Sequence, residues 1–119
     1  MLQVSILIIH LFKKNKLMGI LDLLFGNQNE KIQDYLKKDA IILDVRTDRE
    51  YKSGAIKNSK HIPLDALRNH VDELKKINKP IIVYCASGVR SGKAAKFLNL
   101  NNIDAINGGG INNLSSLIK

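Results

Sequence analysis

The chain has 119 residues, of which 45% are hydrophobic and 25% charged, with three Tyr, three Phe and no Trp. That length holds one domain and leaves little room for a second, and the scarcity of aromatic residues calls for a core of Ile and Leu. A formal charge of +8 raises the question of nucleic acid. However, the lysines are scattered and paired with acids, as in Asp48-Arg49-Glu50 and Asp72-Glu73-Leu74-Lys75-Lys76, with no basic stripe or interleaved aromatics, so no nucleic-acid partner is expected and the charge reads as a solvated surface able to gather small anions.

In chain order, residues 1–12 are strongly apolar and precede Lys13, Lys14 and Lys16. The run is too short to span a bilayer, which takes about 20 residues. Its charges follow it and no small-residue cleavage site appears, which does not suit an export signal. Three readings stay open: a membrane-surface anchor, a strand or helix packed on the domain, or a start site placed upstream of a natural beginning at Met18-Gly19-Ile20-Leu21-Asp22. The last is preferred. It sets residues 1–18 apart as an N-terminal extension, leaves 19–119 as one domain, and takes three lysines away so that +8 becomes +5. Membrane association is not expected.

Residues 19–25 suit an amphipathic turn or short helix, and 29–38 a helix with Ile32, Tyr35 and Leu36 at helical spacing. Ala40 to Val45 is a continuous apolar run broken only by Asp44, as expected of a strand buried on both faces of a parallel sheet. Thr47-Asp48-Arg49-Glu50 is a capping box that opens a short helix ending near Gly54. Lys60 to Ile62 is a short candidate strand, and Leu64 to Ile77 carries a helical pattern that tolerates one break. Ile81-Ile82-Val83-Tyr84 is a second buried strand, followed by Cys85-Ala86-Ser87-Gly88-Val89-Arg90-Ser91 and a helix with Ala94, Ala95, Phe97 and Leu98 on its apolar face. Asp104 to Ile106 reads as a last strand, Gly108-Gly109-Gly110 as a tight loop, and 111–118 as a closing helix. Strands alternating with helices imply an α/β domain with a mostly parallel sheet.

Cys85 is the single cysteine, so neither an internal disulfide nor a thiolate metal cluster can form. It stands directly after a buried strand and before a helix, where open parallel sheets bind ligands. The small loop with Gly88 can turn successive N–H groups inward as an anion nest, and the following helix adds the positive end of its dipole. Both favour a thiolate, and Arg90 adds a fixed charge and a planar fork suited to oxyanions. Cys85 is therefore placed as an activated nucleophile.

The loop resembles Cys-x-x-Gly-x-Arg-Ser, the active-site loop of rhodanese-like sulfurtransferases. The resemblance extends over roughly Ala40 to Leu114. Leu43-Asp44-Val45-Arg46, Glu50-Tyr51, Gly54-Ala55-Ile56 and Ile62-Pro63 are similar to the family's N-terminal signature, and Gly109-Gly110 with Leu114 to its C-terminal one. Departures are Ala55 where the family has His, Asn58-Ser59 where Gly-Ala is frequent, His61 in place of Asn, and Leu114 in place of Trp. They bear on packing and partner choice more than on chemistry. Four residues separate Cys85 from Arg90. Cys-dependent phosphatases of similar fold have five, which widens the cradle for a tetrahedral phosphate, so a phosphatase or arsenate-reducing activity ranks behind sulfur transfer.

The resemblance implies a three-layer fold with helices on both faces of the sheet. It also implies a ping-pong sulfurtransferase, with Cys85 as nucleophile and persulfide carrier. N–H groups from Ala86, Ser87, Gly88, Val89 and Arg90 would hold the sulfur, and Arg90 would orient a small anionic donor such as thiosulfate. The acceptor is a thiol or cyanide, or a protein in the alternative reading of a sulfur carrier without turnover. No metal or organic cofactor is expected. Asp44 and Arg46 are read as supporting residues, either setting the loop's electrostatics or, preferentially, pinning loops by an ion pair. Ser87 and Ser91 are hydroxyl donors to the sulfur or helix caps, with capping preferred for Ser91. His61 reads as structural, and His10 and His70 carry no role. One cysteine and no export signal point to a reducing cytoplasm.

Overall fold

The computed structural model describes residues 27–118. The apolar segment 1–12, the boundary at 18/19 and the short helix anticipated over 19–25 lie outside them. The chain divides into two compact units, Met1–Lys31 and Ile32–Lys119, and the fold described below is that of the second. Its elements are α1 (Asn27–Lys37, which begins in the first unit), β1 (Ile41–Asp44), α2 (Asp48–Lys52), β2 (Lys60–His61), a 3-10 helix (Leu64–His70), α3 (Val71–Ile77), β3 (Ile81–Cys85), α4 (Val89–Leu100), β4 (Ala105–Gly110) and α5 (Ile111–Leu117).

The four described strands form one all-parallel sheet in the order β2-β1-β3-β4. Strand alternation sends Ile81, Val83 and Cys85 to one face. There they pack with Leu43, Leu67 and Leu74 and with Ala94, Ala95 and Leu98 of α4. Ile82 and Tyr84 point to the other face, against Ile32 of α1 and Leu114 of α5. All five residues of β3 are buried, which accounts for an apolar run without alternation. The chain is thus a three-layer α/β domain with helices on both faces of the sheet.

The capping box at α2 is complete: Thr47 Oγ1 accepts the Glu50 N–H, and the Thr47 N–H donates to Glu50 Oε1. Asp39, Asn58, Asn78 and Asn102 take positive φ of 55–67°, the left-handed turn conformation that short Asn and Asp side chains tolerate best after Gly.

The Leu64–Ile77 segment is helical with one break, as its pattern allows: a 3-10 helix passes into α3 at His70/Val71. One expectation changes. Gly108-Gly109-Gly110 is not a tight loop but the end of β4. Val83 pairs with Asn107 and Tyr84 with Gly109, so the register steps past Gly108 in a bulge.

Candidate active site

Cys85 ends β3 at the carboxyl edge of the sheet and is fully buried. The turn Ala86–Gly88 leads into α4, whose N-cap, Gly88, has φ +100°, a conformation that costs an L residue roughly 1–2 kcal/mol. The turn brings the Gly88 N–H to 3.0 Å from Cys85 Sγ. The Ser91 N–H donates from 3.4 Å and the Ser91 hydroxyl lies at 3.3 Å. Burial by itself raises the thiol's pKa. Hydrogen bonds from the Ser91 hydroxyl and from the Ser91, Gly88 and Ser87 N–H groups outweigh it, and the net shift is downward, toward thiolate.

Ser91 does not cap the helix. Gly88 holds the N-cap position, and Ser91 sits inside the first turn, fully buried, with its hydroxyl turned to the sulfur and to Asn107 Oδ1 at 2.7 Å. Chain direction explains this: the third residue of a helix that starts at the sulfur presents its N–H and side chain back toward the strand end. Ala86, Ser87 and Val89 are exposed at the rim.

Arg90 presents both Nη atoms to one carboxylate, with Nη1 2.7 Å from Glu50 Oε1 and Nη2 2.9 Å from Oε2. The fork is therefore turned to α2. Arg90 pulls the Glu50 carboxyl down to about 2, helped by the Thr47 N–H.

Asp44 and Arg46 form a buried pair. Arg46 Nη2 donates to Asp44 Oδ2 at 2.8 Å and to the Gly54 carbonyl at 2.7 Å, and the Arg46 N–H donates to Asp44 Oδ1. Removing one partner of such a pair leaves an unmatched buried charge, worth about 3–5 kcal/mol. The pair ties the β1 end to the loop after α2. Tyr84 Oη ties the next stretch of that loop by accepting the Ile56 N–H and bonding Ser59 Oγ. His61 stacks on Tyr51 with its Nε2 2.8 Å from the Arg46 carbonyl oxygen.

Asn107, Gly109 and Glu50 were not singled out as site residues from the sequence. Asn107 Nδ2 donates to the Gly88 carbonyl, and its Oδ1 accepts both the Ser91 hydroxyl and the Gly109 N–H. The available signal was an Asn-Gly-Gly-Gly run where strand formers are expected. Glu50 was legible as a helix cap and as part of the N-terminal signature but not as the partner of Arg90, which lies 40 positions away. No group of three or more His, Cys, Asp or Glu side chains among the described residues is placed to hold a metal ion. No helix among them is long and apolar enough to cross a membrane.

The family model for the rhodanese-like domain matches residues 28–116. The chain belongs to the rhodanese-like domain family. A rhodanese-like domain protein of Staphylococcus aureus is 37% identical and superposes with a TM-score of 0.62 over 72% of this chain and 86% of that one. Two curated relatives extend the picture. The uncharacterized protein YqhL of Bacillus subtilis is 38% identical over 64 residues, 54% of this chain and 50% of the relative. The tRNA uridine(34) hydroxylase of Salmonella typhimurium is 29% identical over 103 residues, 74% of this chain and 29% of the relative. This rhodanese-like chain thus spans half or less of the curated relatives' own lengths. Family membership identifies it as a module of the sulfur-transfer type.

Proposed function

We propose that this domain moves sulfane sulfur from thiosulfate or a persulfide donor to a thiophilic acceptor, by way of a persulfide on Cys85. The observation that carries the reading is the convergence of two N–H groups and one hydroxyl on Cys85 Sγ. Such a cradle stabilises a sulfur anion, as a nucleophile or as the outer atom of a persulfide. The thiolate attacks the outer sulfur of the donor. A new S–S bond forms, the donor's own S–S bond breaks, and the leaving group departs with the electron pair as sulfite or a thiolate. The acceptor, cyanide or a thiol, then takes the outer sulfur and Cys85 returns to thiolate. No net electron leaves the protein in the cycle. The Val89 and Arg90 N–H groups, in the first turn of α4 where no intrahelical acceptor exists, are suited to hold the outer sulfur.

A second reading is a persulfide-holding module that delivers sulfur to a protein partner. The match to 29% of a longer hydroxylase favours it, since there a segment similar to this one is part of a larger chain. Both readings need a reducing compartment to keep Cys85 free, and we assign the protein to the cytoplasm on that ground.

Intact mass after incubation with thiosulfate, and separately with an alkyl persulfide, tests the proposal. The native chain gains one sulfur atom, cyanide removes it, and Cys85→Ser gains none. No gain from either donor sinks the reading. Steady-state turnover then separates enzyme from carrier.

A further inference from the structure

We infer that the cleft between the 3-10 helix and α4 is a docking site for the sulfur acceptor, an extended protein segment that carries acidic and apolar side chains beside its acceptor thiol. The inference rests on the sulfur-transfer reading above and deepens its carrier form by assigning the acceptor's chemistry. The residues that give the cleft its charge, Arg68 and Lys93, lie outside the family signatures.

The cleft has a volume of about 490 Å³, within the range of about 300–1,000 Å³ typical of ligand sites. Leu64, Leu67 and Phe97 line it as an apolar floor. Leu67 is buried, and Leu64 and Phe97 pack against the same core cluster as Cys85. Arg68 on the 3-10 helix and Lys93 on α4 stand exposed on its two walls. Arg46 and Arg90 are locked to carboxylates, whereas Arg68 and Lys93 make no ion pair among the described residues. Asp65 is the one acid among the described lining residues. The lining therefore calls for hydrogen-bond donors as well as carboxylates. A simple anion has no donors to give, but an extended peptide brings both: backbone N–H groups for Asp65 and acidic side chains for the two cations.

Both walls start at the edge of the sheet where Cys85 lies. The Leu64 N–H donates to the Val45 carbonyl, just past β1, and α4 opens at Val89, beside the sulfur. Val89, Lys93 and Phe97 are spaced by four and share one face of α4. That face runs from the rim, where Val89 is 65% exposed, into the cleft. Lys93 lies about 6 Å and Phe97 about 12 Å from Val89 along the helix. An extended chain advances about 3.3 Å per residue, so two residues span the first distance and four the second. Its successive side chains point to opposite sides, so two adjacent acids reach the two walls. A thiol two residues before them then stands at the mouth. Cys85 is fully buried, so an acceptor must bring its thiol in on such a protruding segment. There R–S⁻ plus Cys85–S–SH gives R–S–SH plus Cys85–S⁻. The proton stays on the transferred sulfur, and the step balances without an oxidant.

The probes are the peptide acetyl-Cys-Gly-Glu-Glu-Leu-amide, its form with Lys for both Glu, and a labelled version of each with Ser for Cys. Fluorescence anisotropy of the Ser peptides with the full chain reads docking without sulfur chemistry. Intact mass reads transfer from persulfidated Cys85 to the Cys peptides. The acidic peptide is expected to bind and to be a saturable acceptor, and the basic one to do neither. R68E/K93E should weaken the acidic peptide about tenfold in Kd and in KM, the order of two exposed charge pairs lost and reversed. Transfer to dithiothreitol, a small uncharged thiol, should stay unchanged in that variant. K75E/K76E, on α3, changes the net charge equally away from the cleft and should leave binding as it is. Equal weakening by the two double variants would overturn the inference in favour of the overall field, as would equal binding of the two peptides. Tighter binding of a short single-stranded RNA, lost in R68E/K93E, would give the cleft to nucleic acid and overturn it too. If R68E/K93E does not fold, R68Q/K93Q replaces it, with a loss of about threefold expected. Sulfur on Cys85 of the native chain with no acidic peptide bound would overturn this inference alone. No sulfur on Cys85, with the Ser peptide still bound, would fell the sulfur-transfer reading and the acceptor role with it.

Discussion

The hydroxyl of Ser91 carries one proton and lies within reach of Asn107 Oδ1 at 2.7 Å, Cys85 Sγ at 3.3 Å and the Gly109 carbonyl at 3.5 Å. With Cys85 as a thiol, the S–H can donate to Ser91 Oγ while the hydroxyl serves Asn107. With Cys85 as a thiolate, the sulfur accepts only, and the hydroxyl proton is drawn toward it. Ser91→Ala should therefore move the midpoint of the pH-dependence of Cys85 alkylation upward and slow alkylation at neutral pH. An unmoved midpoint would mean that the hydroxyl stays with Asn107 throughout and that the backbone N–H groups alone hold the thiolate. The nucleophile and the order of strand, loop, Arg and helix around it were readable in the sequence, because they are local. The partners of Arg90 and Ser91 were not. Both come from residues distant in sequence, Glu50 on α2 and Asn107 on β4, and only the sheet order brings those elements to one edge.

Among the elements, β4 shows how a strand can be built to serve a neighbouring loop. Glycines weaken strands, and Gly108-Gly109-Gly110 reads as a turn for that reason. The bulge past Gly108 instead lays Gly110 beside Cys85 and against the turn that follows it. A Cβ on Gly110 would come within 2.6 Å of the Ala86 carbonyl oxygen and 3.4 Å of Ser87 Cα. Gly110 has φ −79°, so the objection to a side chain is steric and not torsional. Gly110→Ala is expected to cost about 1–3 kcal/mol, the range for forcing extra volume into a packed site. It should also loosen the sulfur cradle, since the displaced atoms belong to its turn. Denaturant unfolding and the alkylation rate of Cys85 check the two halves. Unchanged stability with unchanged alkylation would show that the turn has slack the geometry does not suggest. By contrast, β1, β3 and the cap of α2 were legible because each depends on residues adjacent in the chain: an apolar run for the strands, and Thr47 with Glu50 for the cap.

At the scale of the molecule, Glu50 links local electrostatics to folding, because one carboxylate closes α2 and joins it to α4. Its pKa falls from the ordinary glutamate range to about 2, chiefly through Arg90 and next through the Thr47 N–H. A depressed folded-state pKa means that the unfolded chain binds the proton first as pH falls. The stabilisation is therefore fully present above the ordinary glutamate range, declines below it, and is lost once pH passes about 2. The side chain is 31% exposed, so solvent screens part of the effect, and added salt should shrink it further. The native chain is thus expected to lose thermal stability between about pH 4.5 and 2 more steeply than E50Q, which has no proton to take up at this position. Melting curves at matched ionic strength across that window give the comparison. Parallel acid profiles for the two proteins would mean that the Glu50–Arg90 pair contributes nothing to folding and that α2 is held by its other contacts, among them Thr47, the Arg46–Gly54 bond and the Tyr51–His61 stack.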